Sequence, residues 1–150
     1  MNIVLVENYN KLIAPEDEVY ILGDCMLKND SIGIKLLSQL NGHKYLAIGN
    51  HDTNSRIIKY CDAGIFDDIQ FAYRFHYHKW HFYATHYPTI TSNANDTRKY
   101  CLCGHSHTKN KFAHWEFGCY HCELDAHENA PVNIEEIIED IKLERNSNNG

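Results

Sequence analysis

KYLAIGNHD, residues 44–52, is a short apolar run that stops at four residues suited to a polar site. Residues 45–48 combine β-formers with burial-prone side chains and read as an inner strand. Gly49 then lets the backbone turn sharply. Asn50, His51 and Asp52 bring an amide, an imidazole and a carboxylate to the point where the chain leaves the sheet. In open α/β sheets ligands bind at that carboxyl end of a strand. The same order, apolar strand and then site residues, recurs at Gly23-Asp24, at His86 and at Gly104-His105-Ser106-His107.

Outward from that stretch, residues 19–22 form a strand ending at Gly23-Asp24. Ser31 is placed to cap a helix over residues 31–40 whose inner face is Ile32, Leu36, Leu37 and Leu40, and Asn41-Gly42 ends it. A right-handed crossover makes the flanking strands parallel neighbours, so Asp24 and Asn50 leave the sheet from one edge. Residues 1–13 carry a helical stripe of Leu5, Tyr9, Leu12 and Ile13 that ends before Pro15. A strand over residues 3–6 would instead put Asn8 and Asn10 at its end, but too few residues follow for a parallel crossover. Helix is the better reading.

Residues 54–60 form a short helix. Residues 69–75 and 80–85 read as an aromatic hairpin about Tyr77-His78-Lys79, with His76, His78 and His81 as exposed polar positions. His86 closes the second strand, and Pro88 confirms the stop. Residues 89–98 are turn-like. A strand over residues 100–103 opens into Gly104-His105-Ser106-His107, and residues 112–117 and 120–124 suggest a further hairpin about Gly118. His114, His121 and His127 there read as surface or hydrogen-bonded groups. Asn133 with Glu136 makes a capping box after Pro131, starting an acidic helix to about residue 143. A polar tail over residues 146–150 follows a single domain of residues 1–145.

Bulk properties narrow the class. The chain's 150 residues suffice for one core. A formal charge of -6 gives no electrostatic reason to expect strong nucleic-acid or anionic-membrane binding. No apolar run approaches the roughly 20 residues of a membrane span, and no signal-peptide pattern is visible. The six cysteines are therefore expected as reduced thiols in a cytoplasmic protein.

The four strand ends together offer one bridging-capable carboxylate, one amide oxygen and three histidines: Asp24, Asn50, His86, His105 and His107. A mixed oxygen and nitrogen set suits Mn, Fe, Zn or Ni rather than Ca or Mg. In this order the motifs GD, GNHD, HYP and GHSH resemble the calcineurin-like metallophosphoesterases, particularly small bacterial and phage-type members. The likeness runs from about residue 1 to the helix near residue 141, its closing stretch being residues 125–138. It implies an α/β/β/α sandwich with a two-metal centre hydrolysing phosphate mono- or diesters. Asp24 would bridge both metals, Asn50, His86 and His105 would complete one site, and His107 would belong to the other. His51 would stabilise or protonate the leaving oxygen, with Asp52 orienting it.

The family also opens with a strand ending in Asp-x-His, and no such motif precedes Gly23-Asp24. One metal would keep four protein ligands and bind firmly, while the second keeps two and binds weakly. A late start, a natural truncation, or a partner chain or second copy covering the exposed sheet would each account for the difference. Two other readings stay open. One is a metal-binding relic or regulatory module that has lost turnover. The other is a zinc module of Cys101, Cys103, Cys119 and Cys122, against which stands the alternation of Cys101 and Cys103 on a buried strand.

Overall fold

A computed structural model describes residues 3–91, 98–112 and 118–148, a mixed α/β chain with two sheets and four helices. Helix α1 (Ile3–Leu12) precedes strand β1 (Glu18–Ile21), helix α2 (Asp30–Leu37), strand β2 (His43–Ala47), helix α3 (Asn54–Asp62) and strand β3 (Asp68–Gln70). These strands form a parallel sheet in the order β1-β2-β3. The strand expected over residues 45–48 is β2, which starts two residues and ends one residue earlier, and Asp24 and Asn50 follow neighbouring parallel strands. Strands β4 (Ala72–Tyr77), β5 (Trp80–Thr85), β6 (Lys99–Cys103) and β7 (Cys119–His121) make a second sheet, antiparallel at β4-β5 and parallel beyond. Helix α4 (Ile134–Asn148) closes the chain.

Alternation along the strands sorts the core. In the first sheet Leu46 points to a cluster with Val6, Leu36, Leu37, Tyr60 and Ile65, so α1, α2 and α3 share one face. Tyr20 and Tyr45 point the other way. Tyr20 stacks on Phe75 with ring centroids 4.6 Å apart, Tyr73 packs edge-on against both tyrosines, and the Tyr73 hydroxyl donates to Leu46 O at 3.3 Å. An aromatic layer thereby joins the two sheets. Phe82, Ala84, Leu102 and Tyr120 lie on that same face of the second sheet and bury Ile137, Ile138 and Ile141 of α4. The Asp140 carboxylate accepts from Tyr120 Oη at 2.6 Å and from Lys111 Nζ at 2.8 Å, and Arg145 lies over Trp80 and Tyr100. Helix α4 therefore sits beside the first sheet, over the same face, rather than as an outer layer behind the second sheet.

Several boundaries depart from the sequence reading. The run of residues 69–75 is two strands, because the chain changes sheets at Phe71, whose side chain is exposed. Helix α2 starts one residue before Ser31: Asn29 Oδ1 accepts from the Ile32 N–H at 3.1 Å, and Ile32 is exposed while Leu36 and Leu37 are buried. In α1 the buried residue is Val6, and Leu12 is exposed. Asn133 Oδ1 accepts from the Glu135 N–H at 2.8 Å, and α4 runs on through residues 146–148 of the expected tail. Of the expected late hairpin, β7 pairs in parallel with β6, and residues 113–117, with His114, lie outside the described residues.

Phe82 is fully buried where the aromatic layer meets α4. Its replacement by alanine is expected to lower unfolding free energy by about 3–5 kcal/mol, measurable by denaturant titration, with the slope unchanged.

Candidate metal centre

The buried carboxylate of Asp52 is the tie between the ends of β1 and β2. Its Oδ2 accepts from the Asp24 N–H at 2.7 Å and the Gly49 N–H at 2.9 Å. Its Oδ1 accepts from the Cys25 N–H at 3.2 Å and the Tyr60 hydroxyl at 2.9 Å. Burial, reinforced by the nearby Cys25 and Asp52 charges, pushes the Tyr60 phenol far above its ordinary value, so it stays a donor. Burial, then the charges of Asp52 and Asp24, likewise push the Cys25 thiol well up. Three of these four contacts hold backbone. The expected role for Asp52, orienting His51, is not what the geometry gives: among the described residues no hydrogen bond joins the Asp52 carboxylate to the His51 ring.

Two glycines let the loops close up. A Cβ on Gly49 would overlap Asp24 Oδ1, and one on Gly23, at φ +85°, would stand 2.5 Å from His86 Nδ1. Asp24 itself has φ +55°, and the His51 N–H donates to its Oδ1 at 2.8 Å. Arg56 draws the same segment together, its Nη1 donating to Met26 O and to His51 O while its Nε pairs with Asp30 at 3.0 Å.

His86, at the end of β5, is 2% exposed and points into this junction. Its Nδ1 lies 2.7 Å from Leu22 O. A carbonyl only accepts, so Nδ1 carries a proton, and a neutral ring would present Nε2 as a lone pair. That Nε2 lies 2.9 Å from Asn50 Oδ1, 3.0 Å from His105 Nδ1 and 3.4 Å from Asp24 Oδ2. Asp24, His86 and His105 offer ligand atoms all within 4.8 Å of one another, the one such group among the described residues. His105 sits at φ +72°, with the preceding Gly104 N–H donating to His86 O at 3.0 Å and the following Ser106 N–H to Glu123 Oε1 at 3.0 Å. Left-handed backbone at Asp24 and His105, unfavourable for residues with a Cβ, is thus held by bonds from both sides.

The remaining expected site residues fall apart from this group. His107, at φ +50° and with a side chain 74% exposed, faces Asp125 Oδ2 at 3.4 Å. The His51 ring is exposed beside Asn50. The four cysteines of the zinc reading do not converge. Cys101, Cys103 and Cys119 cluster on the outer face of the second sheet, whereas Cys122 packs against the α4 core. His121 and His127 are buried and hydrogen-bonded, His127 Nε2 to His121 O at 2.9 Å and His121 Nδ1 to Glu123 at 3.2 Å. Tyr60, Leu22 and Glu123 were not anticipated. They act through an ordinary hydroxyl, carbonyl and carboxylate that no local pattern marks.

Asp52→Asn replaces an all-acceptor group with one that must point an NH₂ at N–H donors. It is expected to cost about 2–4 kcal/mol, and Tyr60→Phe about 1–2 kcal/mol. Denaturant unfolding of both variants checks the order.

No family model matches the chain. One stretch of 65 residues is 37% identical to the uncharacterized protein MJ1445 of Methanocaldococcus jannaschii, covering 40% of this chain and 37% of the length of that protein. In fold the chain is similar to the protein of unknown function AQ665 from Aquifex aeolicus, with a TM-score of 0.69 over 91% of this chain and 83% of that one. Sequence identity between those two is 22%, so the likeness is one of fold alone.

Proposed function

We propose that the chain is a metal-dependent phosphoester hydrolase of the calcineurin-like type, with one firm metal site made by Asp24, Asn50, His86 and His105. The observation that carries this reading is the crowding of acceptors at His86. Its Nδ1 proton is committed to Leu22 O, while two oxygens and a second imidazole nitrogen approach Nε2. Lone pairs gathered in this way repel unless a proton or a metal cation sits among them. The bond from Nδ1 to a backbone carbonyl is also the outer contact that metal-binding imidazoles use to fix their tautomer. Mixed oxygen and nitrogen donors favour Mn, Fe, Zn or Ni. Two sheets packed face to face, with α1, α2 and α3 outside the first, support the first three layers of the family's α/β/β/α sandwich, while α4 departs from the fourth.

Bound there, a divalent transition metal supplies Lewis-acid polarisation of a phosphoryl oxygen and activation of water. The chain's own residues do the rest. Asp24 is presented by the His51 N–H, and Asp52 keeps the two loops in register. The His51 ring, exposed one residue beyond Asn50, is free to approach a docked phosphoester and give a proton to its leaving oxygen. His107, turned to Asp125, favours a second metal that binds weakly. The same observation favours the alternative of a metal-binding module without turnover. β1 is an edge strand, and a partner chain or second copy would add to the sheet there.

Dialysis against Mn²⁺ or Zn²⁺ with elemental analysis is expected to give one tightly held equivalent, lost in His86→Ala and Asp24→Asn. No tight equivalent in the unaltered chain would instead identify His86 as an imidazolium paired with Asp24. With excess Mn²⁺, hydrolysis of a chromogenic phosphodiester is expected to fall about 10²- to 10⁴-fold in His51→Ala while metal content is kept. Equal background in both proteins would leave the module without turnover.

A further inference from the structure

We infer that Tyr87 is the wall of a subsite for a planar aromatic group beside the candidate metal centre, so that the phosphoesters taken there carry aryl or nucleoside groups. The inference rests on the hydrolase reading of the same centre and adds what is attached to the phosphate. Tyr87 lies two residues past the end of β5, directly after His86. Its ring centroid is 4.9 Å from that of His86, at 76°, and 4.7 Å from that of His105, at 63°. The two imidazoles are themselves 4.9 Å apart, so three rings form one corner. His86 Nε2 and His105 Nδ1 meet there at 3.0 Å.

Burial shows on which side the corner opens. His86 is 2% exposed, whereas His105 is exposed and Tyr87 is 47% exposed. A ligand coming from solvent to the paired nitrogens therefore enters on the side of His105 and Tyr87. Both imidazoles meet the tyrosine at steep angles, and among the described residues no ring stacks parallel on it. The offset-parallel position that a flat partner prefers is thus left open. The wall is also held in place. Pro88 restricts the Tyr87 backbone to extended conformations, and Thr89 Oγ1 donates to Tyr87 O at 2.9 Å. The Cys101 thiol approaches the same oxygen at 4.0 Å. A side chain fixed before the ligand arrives loses little freedom on binding. Merely apolar walls favour the larger surface of a saturated ring. The quadrupole of a tyrosine ring favours a flat one.

The test is isothermal titration calorimetry of the full chain, dialysed against Mn²⁺, with benzylphosphonate and cyclohexylmethylphosphonate. Neither can be hydrolysed, and they differ in whether the ring is flat. Benzylphosphonate is expected to bind about three- to tenfold tighter, a preference kept in Tyr87→Phe and lost in Tyr87→Leu. Manganese content of each variant shows that the centre is kept. Equal affinities in the unaltered chain, no binding of either compound, or a preference that survives in Tyr87→Leu overturns the inference. So does its loss in Tyr87→Phe, which assigns the contact to the hydroxyl. The phosphonate analogues of adenosine monophosphate and ribose phosphate separate the two sources of the ring. A preference for the adenosine compound that Tyr87→Leu removes identifies a nucleoside, and a benzyl preference alone identifies an aryl group close to phosphorus. Turnover of benzyl phosphate and cyclohexylmethyl phosphate keeps this result apart from the hydrolase reading. Aromatic preference in binding without turnover strikes the hydrolase and keeps the subsite. Turnover of both esters at one ratio in the unaltered chain and Tyr87→Leu strikes the subsite and keeps the hydrolase.

Discussion

A single carboxylate buried between two loops sets the geometry of everything around it. Asp52 accepts three backbone N–H bonds and one phenol, and these come from the ends of β1 and β2 and from α3. A buried anion is costly unless its lone pairs are filled, and here four donors fill them. Because the donors are mostly backbone, the arrangement fixes where the chain goes and not merely where one side chain points. Asp24 and Asn50 inherit their positions from it. The glycines at 23 and 49 serve the same end, giving the space that close backbone approach requires.

The second sheet delivers the other half of the centre by a different device. Thr85 ends β5, and the next residue, His86, turns into the junction with its proton committed to Leu22 of the first sheet. The Gly104 N–H returns to His86 O, which places His105 Nδ1 against His86 Nε2. Thus the two loops of the second sheet that carry His86 and His105 are bonded to one another and to the first sheet. The aromatic layer of Tyr20, Tyr45, Tyr73 and Phe75 supplies the packing that keeps the sheets in register.

The strand–turn–ligand grammar was legible because each half of it is local. An apolar run followed by glycine and a polar residue says where a strand stops. Two parallel strands joined by a short helix say on which edge their ends lie. What stayed hidden depends on contacts far apart in the chain. The continuous aromatic run through Phe71 cannot reveal that its two halves belong to different sheets, since burial on both sides looks alike in sequence. His105 and His107 share one motif, but only coordinates separate a ring aimed at His86 from one turned to Asp125. Asp52 lies beside His51, which suggests partnership, while its actual partners are three backbone N–H groups and the Tyr60 hydroxyl.

The partition of the candidate donors between the sheets has a consequence for how the molecule holds together. Asp24 and Asn50 follow strands of the first sheet, whereas His86 and His105 follow strands of the second. Neither half alone presents a complete set of donors. Any ion captured by all four would act as a clasp between halves, favouring only the docked state, and saturation at 100 times its dissociation constant adds about 2.7 kcal/mol to the cohesion of the whole.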